Sequence, residues 1–201
     1  MARARRRPGV FLNIPYDDDF ENLYLAYVVG LTQLGFDVKA TIGAPNDDRL
    51  ATIIELIEQC DVSIHDLSRI EVSKRIPRFN MPLELGLALY RSHSCNGCHR
   101  VFVFEKKTYR TQKSTSDINK LDPRIHRGTV KGVMAGLRDC LIPENETTVP
   151  EMLASYRAVK YRVPLLKRNA GSKSLISPSA FNDLKIASLA SFEALRKRKA
   201  K

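Results

Sequence analysis

The sequence predicts a doubly wound α/β domain built on a parallel sheet of about five strands, followed by C-terminal helices. Three observations carry this. Short apolar runs of strand length alternate with single stretches of helical periodicity, the mark of successive βαβ units. The chain has 201 residues and is 43% hydrophobic, enough for one sizeable core plus an appendage. Beyond about residue 142 only helical patterns remain. The expected organisation is a basic tail over residues 1–8, an α/β domain over 9–142 and a helical extension with a basic end over 143–201.

Val10-Phe11-Leu12-Asn13-Ile14-Pro15 is a short apolar run stopped by proline, a buried first strand. Asp17, Asp18 and Asp19 follow, placed to complement the dipole of the next helix. That helix carries Phe20, Leu23, Tyr24, Tyr27, Val28, Leu31 and Leu34 at helical spacing and stops at Gly35. Phe36 to Thr41 alternates as a second strand. Asn46, Asp47 and Asp48 can each cap the helix striped by Leu50, Ile53, Ile54 and Ile57. Val62 to Asp66 is the third strand, Pro82 to Tyr90 the third helix and Val101 to Phe104 the fourth strand. Arg124-Ile125-His126 suits a short fifth strand, and Val130 to Leu141 a helix. Val149 to Tyr161 and a helix opened by Ser177-Pro178 complete the chain, with Gly171-Ser172-Lys173-Ser174 between them as a linker.

The net charge of +11 suggests nucleic acid, but nine of those charges lie in the end segments: Arg3, Arg5, Arg6, Arg7, Arg196, Lys197, Arg198, Lys199 and Lys201. Residues 8–195 carry only +2. No aromatic residue is interleaved with those charges, so solvated ends with weak non-specific nucleic-acid contact are expected. No apolar run approaches membrane-span length. The basic start lacks a long apolar segment behind it, so no signal peptide, no membrane partner and a cytoplasmic location are expected.

The chemistry is expected where a strand end, a loop and a helix start meet, because open α/β sheets collect ligands there. Asp66 closes the third strand. Glu84 lies in the first turns of the next helix, capped by Asn80 or Met81; with Met81 as cap, Glu84 is simply the carboxylate of a capping box. Asp66 can likewise be a plain turn residue, capping through Ser68. Asn13 ends the first strand and faces the same crevice. No Gly-x-Gly-x-x-Gly or Walker-type loop exists, so phosphates would fall to side chains such as Arg49, Arg69, Arg78 or Lys113. Cys60 and Cys140 read as buried thiols. Cys95-Asn96-Gly97-Cys98-His99 spells a haem-attachment pattern, and His93, Cys95, Cys98 and His99 have the makings of a zinc set. A tight turn with reduced thiols is the expected reading, with no metal and no cofactor. No Ser-His-Asp order is legible, and the four histidines show no catalytic spacing.

Phe11-Leu12-Asn13-Ile14-Pro15-Tyr16-Asp17, Arg49-Leu50, Ile64-His65-Asp66-Leu67-Ser68-Arg69 and Pro77-Arg78-Phe79-Asn80-Met81-Pro82-Leu83-Glu84-Leu85-Gly86 resemble a bacterial family of uncharacterised TIR-like proteins. The segment with Tyr109, Gln112, Lys113 and Asp117 resembles it too. The same motifs are distantly similar to the nucleoside 2-deoxyribosyltransferases. The resemblance implies a flavodoxin-like fold and a small-molecule nucleotide or nucleoside partner. It implies that Glu84 acts on the anomeric carbon of a ribosyl group in N-glycosidic cleavage or transfer, with Asp66 contacting sugar or base. Asn13, Tyr16, Asp17, Arg49, Ser68, Arg69, Asn80 and Lys113 would line the ligand. A carboxylate suits an oxocarbenium-like transition state, and Asp17, Asp18 or Asp66 would handle the leaving-group proton. An Arg78–Glu84 ion pair would blunt that carboxylate. The alternative is a non-catalytic nucleotide-sensing TIR-like module, in antiphage defence, that signals through its C-terminal helices or as a homo-oligomer.

Overall fold

A computed structural model describes residues 6–43, 48–69, 79–108, 121–141 and 146–199. Five strands form one all-parallel sheet: β1 (Gly9–Asn13), β2 (Asp37–Lys39), β3 (Val62–Asp66), β4 (Arg100–Glu105) and β5 (Arg124–Ile125), in the order β2-β1-β3-β4-β5. Helices cover both faces. They are α1 (Glu21–Gln33, entered through a 3-10 turn at Asp18–Phe20), α2 (Arg49–Glu58), α3 (Asn80–Ser94), α4 (Val130–Cys140), α5 (Val149–Asn169) and α6 (Pro178–Lys199). This is the flavodoxin-like arrangement with C-terminal helices.

The register places Phe11 beside Ser63, and Asn13 beside His65. Strand alternation then sorts every side chain. Val10, Leu12, Val62, Ile64 and Phe104 share the large core with α1, α4, α5 and α6. Phe11 packs with Ile53, Ile57 and Ala88 of α2 and α3, and Leu67 and Val103 pack with Met81 and Leu85 of α3. The order reverses between β1 and β3, whose following loops lead to helices on opposite faces. That is where such sheets open a ligand crevice.

From Asn22 to Phe36 the chain has no charged residue, and every α1 residue from Leu23 onward is buried. One face of α1 meets the sheet and the other is covered by α5 and α6, through Met152, Tyr156, Val159, Phe181 and Leu184. The C-terminal helices thus close the core rather than hang from it. Two expectations change here. Helix α5 runs on through Pro164 to Asn169, because Leu166 beyond the proline is buried in the core. The expected linker at Gly171–Ser174 is a compact turn: Leu175 behind it is fully buried, and its N–H donates to Glu21 Oε2 at 3.1 Å.

The basic ends are also partly structural. Arg7 donates to the Thr32 carbonyl at 2.7 Å and lies 4.6 Å from the Phe192 ring centroid, with Arg196 5.7 Å from the same ring. Lys199 pairs with Glu151 at 2.9 Å. These cations make contacts with the fold, Arg7 the more buried of them, while Arg196 and Lys199 stay exposed. Among the described residues no helix is long and apolar enough to cross a membrane.

One glycine fixes how α4 sits on the sheet edge. A Cβ at Gly132 would collide with the backbone carbonyl of His126, which no side-chain rotation relieves. Gly132→Ala is therefore expected to cost about 2 kcal/mol or more, in the range of overpacked cores, read as a lowered midpoint in urea unfolding.

Candidate functional site

At the β1/β3 crevice the structure builds an ordered polar chain. The Asn13 amide Nδ2 donates to the Met81 carbonyl at 3.1 Å and lies 3.0 Å from His65 Nδ1. His65 Nε2 lies 3.0 Å from Ser63 Oγ, which lies 3.0 Å from His99 Nε2, and His99 Nδ1 lies 2.8 Å from the Cys60 carbonyl. A carbonyl only accepts, so His99 carries its proton on Nδ1 and Ser63 donates to its Nε2. His65 Nε2–H then donates to Ser63, leaving Nδ1 to accept from Asn13. Every link fits one proton order with both rings neutral. Burial supports this, lowering His65 to about 3 and His99 below its usual range, with each further depressed by a nearby cation or imidazole. Asn13 is 3% exposed, and its orientation follows from this chain.

Glu84 lies on the same face. Helix α3 begins at Asn80 with Phe79 in the cap position, so neither Asn80 nor Met81 caps it and Glu84 belongs to no capping box. Pro82 is tolerated because first-turn N–H groups have no helical acceptor. Glu84 is 3% exposed and has no hydrogen-bond partner among the described residues. Burial raises its carboxyl to about 7, and the Arg49 charge partly offsets that. Arg49, in the first turn of α2, reaches the Thr41 hydroxyl at 3.5 Å. Tyr16 completes the group: its hydroxyl donates to the Leu12 carbonyl at 3.1 Å and bonds Thr41. Burial first, then the Glu84 charge, pushes this phenol above its ordinary range. Asn13, Tyr16, Arg49 and Glu84 therefore gather as expected, joined by Thr41 and the Met81 carbonyl.

Asp66 does not join them. Strand alternation sends it through to the α1 face, where it is fully buried. Its Oδ2 accepts from Tyr27 at 2.7 Å and lies 3.2 Å from His126 Nε2, while Oδ1 accepts from the Ser68 N–H at 2.9 Å. The expected pairing of Asp66 with Glu84 on a ribose is thus corrected: a layer of sheet separates them, and Asp66 is a structural acceptor. Ser68, 2.8 Å from His126 Nε2, lies with Asp66.

Asp66, His126 and Ser68 look like a hydrolase triad but are wired differently. The Gly128 N–H donates to His126 Nδ1 at 3.0 Å, so the single ring proton sits on Nε2, facing both Ser68 and Asp66. A protonated nitrogen is no base for Ser68.

Arg69 bonds Asp17 at 2.9 Å and Asp19 at 3.4 Å, tying the loop after β3 to the loop after β1. Asp48 caps α2 by accepting from Ala51 N–H at 3.0 Å. Asn80 is an exposed residue at the start of α3. Asn46, Asp47, Arg78, Tyr109, Gln112, Lys113 and Asp117 lie outside the described residues. The Cys95–Cys98 turn is a correction too: the two sulfurs form a disulfide rather than reduced thiols, and His99 is committed to Cys60 and Ser63. The zinc set cannot assemble from these groups, and no His/Cys/Asp/Glu cluster suited to a metal occurs among the described residues. Cys60 and Cys140 are buried free thiols. Sequence reasoning gave no site role to Tyr27, Ser63, His65 or His126, and weighed His99 only in the haem-attachment pattern and as a zinc ligand. The signal was there in part: Ser63 and His65 are polar residues at alternate positions of an otherwise apolar strand.

Compared with models of known protein families and with curated proteins, the chain matches none.

Two stability measurements check these assignments. Asp66→Ala strips the buried Tyr27 hydroxyl and the Ser68 N–H of their acceptor and leaves His126 only Ser68, and is expected to cost about 3 kcal/mol in denaturant titration. For Glu84, the folded chain retains between pH 4.5 and about 7 a proton that the unfolded chain has released. The group therefore erodes stability as pH rises through that window, with the full cost above it. Glu84→Gln is expected to gain up to about 3 kcal/mol at pH 8 relative to its effect at pH 4, and a pH-independent difference would contradict the assignment.

Proposed function

We propose that the chain binds a nucleotide or nucleoside at the β1/β3 crevice and cleaves or transfers its N-glycosidic bond, with Glu84 acting at the ribose anomeric carbon. The observation that supports this is a carboxyl 3% exposed, without a hydrogen-bond partner among the described residues, flanked by a phenol and a guanidinium at the switch point of an open parallel sheet. Structural glutamates are usually solvated or paired, because a bare buried carboxylate is costly. A developing oxocarbenium ion would supply the missing countercharge and favour the ionised form at the transition state. Arg49 has the chemistry to hold a phosphate, and Asn13 to bond a sugar hydroxyl. The motif resemblance to TIR-like and deoxyribosyltransferase proteins points the same way.

In the reaction, the Glu84 carboxylate attacks C1′ as the C1′–N bond breaks, and the bonding pair leaves with the base. Water or an acceptor then displaces the ester and restores the carboxylate. A neutral nucleoside needs a proton on its departing base. With Asp66 behind the sheet and Asp17 bonded to Arg69, two of the three carboxyls expected to deliver it are committed elsewhere, and the third, Asp18, is an exposed residue of the turn that enters α1. A pyridinium base leaves as a neutral molecule and needs none, which favours NAD over deoxynucleosides.

Nicotinamide release from NAD, followed by chromatography, tests the reading. Wild type is expected to exceed Glu84→Gln by about a hundredfold or more, with the rate rising through pH of about 7 as Glu84 ionises. Equal background from both proteins refutes the reaction. NAD binding without release in either one selects the sensing module, a reading favoured by how little of Glu84 is exposed.

A further inference from the structure

A cavity of about 440 Å³ opens on the opposite face of the sheet from Glu84, also at the carboxyl ends of the strands. Its wall is contributed by the segments after β1, β3, β4 and β5, by the start of α4 and by α5. Three cations reach it, Arg69, Lys106 and Lys160, against one carboxylate, Asp19. Arg69 is already neutralised by Asp17 and Asp19. Lys106 and Lys160 make no ion pair among the described residues; with Arg69 set against both Asp17 and Asp19, these five groups leave one net positive charge on the space, and the two ammonium groups are its unpaired donors. Between residues 8 and 195 the net charge is only +2, which makes this local excess selective rather than a reflection of a basic surface.

The fold sets these cations in place. Gly128 has φ +70°, and a side chain there would meet the Lys106 methylenes at 3.0 Å, so glycine lets the lysine stem lie across the turn. Lys160 stands 5.7 Å from the Tyr156 ring centroid. Val130, the first residue of α4, also lines the space, while the Gly132 N–H of the same turn is capped by the Thr129 hydroxyl. Phe20, Leu23, Val130 and Tyr156 supply an apolar wall. His126 and Ser68 form a buried, mutually bonded floor.

We infer that this cavity binds a small phosphate monoester whose body is apolar or ring-bearing. The two unpaired lysines can each donate to the oxygens of a phosphate, while the wall takes the rest of the molecule. The site stands apart from the Glu84 crevice, and neither reading depends on the other.

The test titrates the full chain with inorganic phosphate, phenyl phosphate and phenol, following the backbone amides of Gly128 and Val130 by NMR. Phenyl phosphate is expected to saturate, to bind more tightly than inorganic phosphate, and to outbind phenol. Lys106→Gln and Lys160→Gln, both exposed lysines whose loss leaves the core untouched, are each expected to weaken phenyl phosphate about tenfold. Lys197→Gln at the basic end of α6 is expected to leave it unchanged. Non-saturating shifts overturn the inference, as do equal losses from Lys197→Gln and the two cavity variants. Tighter binding of phenol than of phenyl phosphate also overturns it.

Discussion

The arrangement of the whole carboxyl edge depends on the parallel pairing of β1 with β3. That register sets Asn13 beside His65 and Phe11 beside Ser63. Because side chains alternate across a strand, it also decides that His65 faces α3 while Asp66, one residue on, faces α1. A one-residue slip would exchange them. It would expose the histidine chain to α1 and strip Tyr27 and His126 of their acceptor. The β1/β3 pair therefore fixes which chemistry appears on which face.

This explains which features were legible in the sequence. The strands and helices could be read because their apolar spacing is strong; Asn13 and Glu84 could be placed from strand-end and helix-start positions, Arg49 from its charge, and Tyr16 only through the motif resemblance. The Asp66–Glu84 pairing failed for a specific reason. Both residues lie near the junction along the chain, but proximity in sequence does not say which side of a sheet a strand's last residue occupies. The alternation of Ser63 and His65 against Val62, Ile64 and Asp66 contained that information. His126 was beyond reach for another reason: it meets Asp66 and Ser68 only after two further strands are laid down. The disulfide at Cys95–Cys98 shows a similar limit: the spacing reads as thiols, zinc or haem, and only the folded turn brings the two sulfurs together.

The buried polar groups divide into two sets with different tasks. On the α1 side, Asp66 collects Tyr27, Ser68 and His126 and is satisfied by them, so it fastens α1 and the β5 turn to the end of β3. On the α3 side the polar groups are aligned but incompletely consumed. Among the described residues Glu84 has no hydrogen-bond partner for its carboxyl, at a cost to stability that the packing of α1 between sheet and C-terminal helices must offset. The long uncharged stretch from Asn22 to Phe36 serves that end: it lets α1 bury on two sides and draws α5 and α6 into the same core.

The proton order from Cys60 to Asn13 has a bearing on selectivity. Both hydrogens of the Asn13 amide are spoken for, by His65 and by the Met81 carbonyl. What remains for a visitor is Oδ1, which can receive a hydrogen but not give one. Turning the amide over would set its oxygen against the Met81 carbonyl and force His65, Ser63 and His99 to reassign their protons against a carbonyl that cannot donate. A ligand in this crevice would thereby meet an acceptor, suited to hydroxyl or amino groups rather than carbonyls, whose orientation is set from the far end of the sheet by the Cys60 main-chain oxygen.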